Sequence, residues 1–129
     1  MGDLTAHFSL IEFQCPDCHI GRPSPHLLSV LEGARVLYGR PIIISSGYRC
    51  KVHNAEVGGV EPSEHGNYKT GITEAADVLA VTAEERYEMI RIFLGLGVQR
   101  IGVGNLHLHI GVSTTFPNPA IFPDVEISA

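Results

Sequence analysis

The stretch Leu106-His107-Leu108-His109-Ile110 alternates three aliphatic residues with two histidines. Strict alternation predicts a β-strand with two unlike faces, because successive side chains of a strand point to opposite sides. We therefore expect Leu106, Leu108 and Ile110 to enter the core and the two histidines to lie side by side on the other face. Paired histidines on a rigid strand commonly bind zinc. The alternative is a half-exposed strand whose histidines face solvent.

The composition predicts one compact domain spanning residues 1–129. The chain is 44% hydrophobic and 18% charged, which supports a core large enough to need no disulfides. Its net charge is -5 with neutral histidines, and its nine Lys and Arg are dispersed, so we expect no nucleic-acid partner. No apolar run reaches the ~20 residues of a membrane helix, and the first residues lack the features of a signal peptide. We therefore expect no membrane association and a cytoplasmic location as synthesised.

The first half of the chain predicts a helix followed by a strand. Ser24 before Pro25 supplies a capping oxygen and a proline at the first helical position, and Gly39 should end the helix. Its apolar residues recur at helical spacing: Leu27, Val30, Leu31, Ala34, Leu37 and Tyr38. Residues 41–45 predict a buried strand, and the glycines that follow as far as Gly71 predict a long functional loop.

The second half predicts a strand, a helix and a hairpin. Residues 75–80 are expected to form the strand, and Thr82 with Glu85 forms the capping box of the helix. That helix is expected to bury Tyr87, Ile90 and Leu94 before Gly95 and Gly97 end it.

The hairpin is predicted from two strands, residues 100–103 and 106–113, that are joined across Gly104 and Asn105. Three prolines make the tail an expected irregular wrap or interaction arm. This order of elements predicts an α+β fold, in which a small antiparallel sheet with flanking helices carries the site.

Five short motifs stand in a fixed order along the chain. They are Ser46-Gly47-Tyr48-Arg49-Cys50, His53-Asn54-Ala55-Glu56-Val57-Gly58-Gly59, Ser63-Glu64-His65, Ala75-Ala76-Asp77 and His107-Leu108-His109. Together they resemble the zinc D-Ala-D-Ala carboxypeptidase family, peptidase family M15, including its single-domain phage and bacterial members. The resemblance runs from about Phe8 to Val112. It implies the hedgehog/DD-peptidase fold and hydrolysis of a peptide bond in peptidoglycan stem peptides.

The resemblance implies that His65, Asp77 and His109 bind a catalytic Zn2+ ion. Two imidazoles and one carboxylate, with a fourth position open to water, suit such a site. Asp77 supports this assignment independently, because an acidic residue in an apolar strand is costly to bury without a cationic partner. His65 taken alone would more often be a surface loop histidine.

His65 and Asp77 are separated by twelve positions, a longer interval than the family has. We interpret residues 66–71 as a loop insertion that leaves both ligands in place. Within it, Tyr68 and Lys69 either line the cleft or hold the insertion away from it.

Arg49 and Ser63 match two further family positions. The resemblance implies that Arg49 faces the substrate and stabilises the oxyanion, while the alternative is a surface salt bridge. It implies that Ser63 bonds a substrate carboxylate, and a turn or N-cap role is the alternative.

The general base is where this sequence departs from the family. Many members place a carboxylate a few residues before the last zinc histidine, and residues 101–106 contain none. Amide hydrolysis at zinc needs a group that accepts and returns a proton. His107 is the replacement candidate, with Glu64 and Glu74 as alternatives that could fold inward.

The three cysteines allow several interpretations. Cys15 and Cys18 have the spacing of a structural zinc knuckle, and Cys50 with His53 repeats that spacing, which allows a Cys₃His site. The alternatives are a disulfide from Cys50 to Cys15 or to Cys18, or three unpaired thiols. We favour inert or disulfide-linked cysteines.

Two functional classes follow from these features. The favoured one is a zinc metallopeptidase acting on peptidoglycan stem peptides, either a carboxypeptidase or an endopeptidase. The alternative is a non-catalytic, zinc-containing phage structural or cell-wall-binding module of the same fold. The lack of a signal peptide fits a phage-associated protein that acts on the cell wall. The sequence leaves the oligomeric state open.

Overall fold

The computed structural model describes residues 2–59 and 63–124. Its helices are a short 3-10 helix (Leu10–Phe13), α1 (Pro25–Tyr38), α2 (Lys51–Glu56) and α3 (Ala83–Gly95). Its strands are β1 (Arg22–Pro23), β2 (Ile44–Ser46), β3 (Ile72–Thr73), β4 (Ala75–Leu79), β5 (Arg100–Val103), β6 (His107–Gly111) and β7 (Ala120–Pro123). This combination confirms the predicted α+β class.

Five strands form the main sheet, in the order β2-β4-β6-β5-β7. The first four strands pair antiparallel, as predicted, and the hairpin of β5 and β6 is confirmed. At the centre of the sheet, Asp77 on β4 lies directly opposite His109 on β6. The sheet therefore brings together two residues that are far apart in the sequence.

The fifth strand corrects the prediction of an irregular tail. Residues 120–123 form β7, which pairs parallel with β5 and makes the sheet mixed rather than purely antiparallel. Backbone bonds at both ends fasten it: the Ala120 N–H donates to Gln99 O at 2.7 Å and the Asp124 N–H to Val103 O at 3.0 Å. The prolines around this strand concealed it in the sequence.

The core lies between the helices and one face of the sheet. Val78, Leu108 and Ile110 are fully buried on that face, in one apolar cluster with residues of α1 and α3. Because side chains alternate along β4 and β6, Asp77, His107 and His109 leave the opposite face. The predicted division of the strand into two faces is confirmed, except that Leu106 precedes β6 and is 50% exposed.

The predicted helix ends agree closely with the structure. The Leu27 N–H donates to the Ser24 hydroxyl at 3.1 Å, and Gly39 ends α1 in the left-handed conformation. Thr82 and Glu85 form the predicted capping box of α3. Capping residues define helix ends locally, which is why sequence alone locates them.

Two side chains predicted to be buried on α3, Tyr87 and Leu94, are exposed instead, and so is Leu37, one of the apolar residues at helical spacing on α1. On α3 the buried residues are Met89, Ile92 and Phe93, so the inward face is rotated about the helix axis from the predicted one. Periodicity gives the width of an apolar stripe but does not fix which edge of it meets the sheet.

Two further features differ from the prediction. The strand predicted over residues 41–45 begins later, as β2, and Ile43 is exposed. The long loop contains α2, which the glycine pattern did not indicate. None of the helices among the described residues is long and apolar enough to cross a membrane.

Candidate metal centre and active site

Three side chains from three separate segments converge on the outer face of the sheet. His65 comes from the loop before β3, Asp77 from β4 and His109 from β6. The His65 Nε2 atom lies 3.3 Å from Asp77 Oδ1 and 3.1 Å from His109 Nδ1, and His109 Nδ1 lies 3.5 Å from Asp77 Oδ1. All three residues are buried, so His65 is not a surface loop histidine.

These distances match the edges of a zinc coordination tetrahedron. Zinc bonds of ~2.0–2.1 Å to nitrogen and oxygen place neighbouring ligand atoms about 3.3–3.4 Å apart. The three measured separations, 3.1, 3.3 and 3.5 Å, scatter around that value. With the insertion after His65 in place, these three side chains still form a group whose spacing suits a zinc ion.

The ring orientations of the two histidines also fit a cation. His65 Nδ1 donates to the Gly47 carbonyl at 2.8 Å, because a carbonyl can only accept a hydrogen bond. His109 Nε2 donates to Glu64 Oε1 at 2.8 Å. In the neutral rings the remaining nitrogens then present lone pairs to each other and to Asp77, an arrangement that a metal ion at their centre stabilises.

The electrostatics of Asp77 favour the same conclusion. Burial alone would raise the pKa of this carboxyl, but the adjacent His65 and His109 outweigh it and hold the pKa well below its usual range. Neither oxygen of Asp77 has a hydrogen-bond partner among the described residues. A buried carboxylate in that condition requires a cation, and zinc fits the donor set.

The neighbouring carboxylates also shift the pKa of His109. Its burial lowers the pKa, whereas the neighbouring carboxylates of Asp77 and Glu64 raise it to about 9. Without metal, the cluster therefore takes up a proton in place of the cation.

The Glu64 carboxylate holds the ring of His109 in place through its hydrogen bond to Nε2. Its carboxylate also accepts hydrogen bonds from Arg100 Nε and from the Ser113 N–H, each at 3.0 Å. Burial raises the pKa of Glu64, but His109 and Arg100 outweigh this effect and lower it. Glu64 therefore folds inward, as one alternative predicted, but its donors hold it as a hydrogen-bond partner that orients His109. Glu74, the other alternative, is exposed.

We expect Glu64→Gln to weaken zinc binding by about 10–100-fold, the usual effect of removing a carboxylate that orients a metal-binding histidine. Competition with a chromogenic chelator measures this change. Glu84→Gln, an exposed change on α3, is the matched control and should leave zinc affinity unaltered. Equal affinities for Glu64→Gln and the wild type would show that Glu64 does not orient His109.

His107 and Asp124 form a second pair beside the three ligands. His107 is 1% exposed, which rules out the alternative of a solvent-facing histidine. Its Nε2 atom lies 3.0 Å from Asp124 Oδ2 and 3.9 Å from Asp77 Oδ2. Burial lowers the pKa of His107, but the hydrogen bond to Asp124 and the charge of Asp77 outweigh this effect and raise it.

Asp124 is the site residue that the sequence did not indicate. It directly follows β7, and its Oδ2 atom lies 3.9 Å from His109 Nδ1. It thus supplies a carboxylate near His109, although residues 101–106, just before that histidine, contain none. The pairing of β7 with β5 brings it there, and no signal in the sequence alone distinguishes it from the other polar residues of the tail.

Arg49 and Ser63 lie on the two segments that support His65. Arg49 is 1% exposed, so it is not the surface arginine of the alternative interpretation, and its N–H donates to the His65 carbonyl at 2.9 Å. The Ser63 hydroxyl accepts a hydrogen bond from the His65 N–H at 3.1 Å, which is the turn role. Contact of either side chain with substrate stays a prediction.

A cavity of about 540 Å³ adjoins this centre. Its lining includes Ser63 and Glu64, the insertion residues Tyr68 and Lys69, and Phe116. Of the two placements predicted for Tyr68 and Lys69, lining the cleft is therefore the observed one. The cavity borders the centre through Ser63 and Glu64, which contact His65 and His109.

Comparison with known proteins agrees with this geometry. A family model described as Peptidase M15 matches residues 6–113. Curated protein sequences give no significant match. The matched range contains His65, Asp77, His107 and His109 and ends before Asp124.

Proposed function

Because the chain belongs to the M15 peptidase family, we propose that it is a zinc-dependent peptidase that hydrolyses a peptide bond in peptidoglycan stem peptides. The observation that carries the zinc assignment is the tetrahedral spacing of His65, Asp77 and His109. The family membership supports a metallopeptidase. The substrate rests on the resemblance of the motifs and on the cavity beside the site.

When bound, zinc would supply a Lewis acid for the scissile carbonyl and would make water nucleophilic near neutral pH. Arg49 would stabilise negative charge on the carbonyl oxygen, since a preorganised cation in a buried site acts strongly there. Its backbone bond to His65 fixes its position relative to the ligands.

Proton transfer is assigned to the His107 and Asp124 pair. Asp124 Oδ2 lies within 4 Å of both His107 Nε2 and His109 Nδ1, so its carboxylate would be near a water molecule bound to zinc at His65, Asp77 and His109. A carboxylate there can accept a proton from the attacking water and return it to the leaving amine. His107 donates a hydrogen bond to Asp124 and so orients it, which modifies the prediction that His107 acts alone.

The backbone leaves room for the His107 ring at Gly104. A Cβ atom at Gly104 would overlap that ring, although the backbone of Gly104 is not left-handed and would accept alanine. We therefore expect Gly104→Ala to displace His107 from Asp124 and to reduce hydrolysis by about a hundredfold.

Gly95→Ala is the control for this change. A Cβ atom at Gly95 meets no atom within 4 Å, so hydrolysis should be unchanged and α3 slightly more stable. Steady-state rates of both variants at equal zinc content provide the comparison. Full activity of Gly104→Ala would remove His107 from the mechanism.

The activity is tested on purified peptidoglycan and on synthetic stem peptides that end in D-Ala-D-Ala. Release of free D-alanine would identify a carboxypeptidase, and internal fragments would identify an endopeptidase. Both products should disappear with a chelator and return with zinc. Zinc-loaded protein that cleaves none of these substrates would refute the proposed substrate class.

A second candidate function is a non-catalytic zinc-containing module of a phage particle or of cell-wall binding. Two observations favour it: the three ligands are almost fully buried, and Asp124 lies where it could close the fourth coordination position. Such a module would sediment with peptidoglycan without cleaving it. Hydrolysis by the zinc-loaded wild type would eliminate this candidate.

A further inference from the structure

The three cysteines gather at a place separate from the proposed catalytic centre. Cys15 and Cys18 flank a turn after the 3-10 helix, and Cys50 is the residue before α2. Their sulfur atoms all lie within 4.8 Å of one another, with 3.5 Å between Cys15 and Cys50. All three are free thiols, so of the favoured alternatives, inert or disulfide-linked cysteines, the disulfide is absent from the structure.

Two backbone hydrogen bonds close the turn that contains Cys15 and Cys18. The His19 N–H donates to the Cys15 carbonyl, and the Cys15 N–H donates to the Ile20 carbonyl, each at 2.8 Å. His19 takes a left-handed backbone with φ of 60°, which turns the chain back after Cys18. The result is a tight loop that presents two sulfurs in one direction.

We propose that Cys15, Cys18 and Cys50 bind a second zinc ion, which has a structural role. Zinc–sulfur bonds of ~2.3 Å place neighbouring thiolates about 3.8 Å apart in a tetrahedral site. The 3.5 Å between Cys15 and Cys50 is close to that value and far from the roughly 2.05 Å of a disulfide bond.

The fourth position differs from the Cys₃His prediction. His53 does not join the sulfur cluster: its Nδ1 atom lies 3.5 Å from Asp17 Oδ2 and 3.5 Å from Glu56 Oε1. It is buried, and neither ring nitrogen makes a hydrogen bond within the described part of the chain. Asp17 lies between Cys15 and Cys18 in the sequence, so its contact with His53 keeps that ring near the sulfur cluster. A rotated His53 or a water molecule would complete the coordination.

A zinc ion here would brace the segment that carries Arg49. The Tyr48 N–H donates to the Phe13 carbonyl at 2.8 Å, and a Cβ atom at Gly47 would come within 2.6 Å of Phe13 Cα. The same segment supplies the Gly47 carbonyl that orients His65. The proposed ion would therefore hold the N-terminal region against the loop that positions a catalytic zinc ligand.

Elemental analysis of the full chain, purified with reductant and without chelator, tests this proposal. We expect two zinc ions per chain in the wild type, one in Cys18→Ser and one in His109→Ala. His26→Ala, an exposed histidine change on α1, is the control and should keep two. A wild-type value of one that falls to zero in His109→Ala would overturn the second site.

Cobalt substitution gives a readout that does not depend on folding of the cysteine variant. Cobalt bound by thiolates should give a near-ultraviolet charge-transfer band in the wild type and also in His109→Ala. Absence of that band, or a Cys15–Cys50 disulfide found by mass spectrometry of the native protein, would overturn the proposal. Because His109→Ala isolates the cysteine site, failure of the peptidase proposal would leave this result interpretable.

Discussion

Replacing His109 with alanine is expected to abolish hydrolysis of stem peptides, with a loss of at least about a thousandfold. The change removes one of three zinc ligands, and Lewis-acid stabilisation of the transition state is worth several kcal/mol, each 1.4 kcal/mol being tenfold in rate. It also leaves the buried Glu64 without one of its donors. Initial rates of D-alanine or fragment release, measured beside zinc content, test the expectation.

Asp77→Asn is the companion variant for this test, because it nearly preserves shape while removing the charge. It should lose zinc as His109→Ala does. His26→Ala should retain wild-type rates, since its side chain is exposed on α1. Wild-type hydrolysis by either ligand variant would exclude this cluster as the catalytic metal site.

Asp124→Asn is expected to lower kcat by about 10²–10⁴-fold, the usual contribution of general acid–base catalysis, while zinc stays bound. The amide keeps the size of the side chain and its contact with His107, but it cannot accept the proton from water. KM should change little, because the cavity lining does not include Asp124. Steady-state kinetics on a synthetic stem peptide separate the two parameters.

The zinc content of Asp124→Asn distinguishes a proton acceptor from a fourth zinc ligand. Retention of zinc with a lower kcat supports a proton acceptor, whereas loss of zinc would identify Asp124 as a fourth ligand and favour the non-catalytic module. Glu84→Gln serves as the control for loss of a negative charge and should behave as the wild type.

The sequence predicted the centre of this molecule well because local rules govern it. Alternation across residues 106–110 fixed which side of β6 carries His107 and His109, and an acid within an apolar strand marked Asp77. The pairing of Asp77 with His109 follows from the antiparallel register of β4 and β6. Capping chemistry likewise located the starts of α1 and α3.

The missed features all depend on contacts between distant segments. Asp124 reaches the site only because β7 pairs with β5, and nothing local in a proline-containing tail predicts a parallel edge strand. The role of Glu64 depends on Arg100 and Ser113, more than thirty positions away. The exposure of Tyr87 reflects how α3 docks on the sheet, which its own periodicity leaves undetermined.

Crystal diffraction measured on both sides of the zinc absorption edge tests the central claim most directly. The account predicts an anomalous difference peak within bonding distance of His65 Nε2, the Asp77 carboxylate and His109 Nδ1. Zinc-loaded crystals with no peak among these three side chains would contradict it.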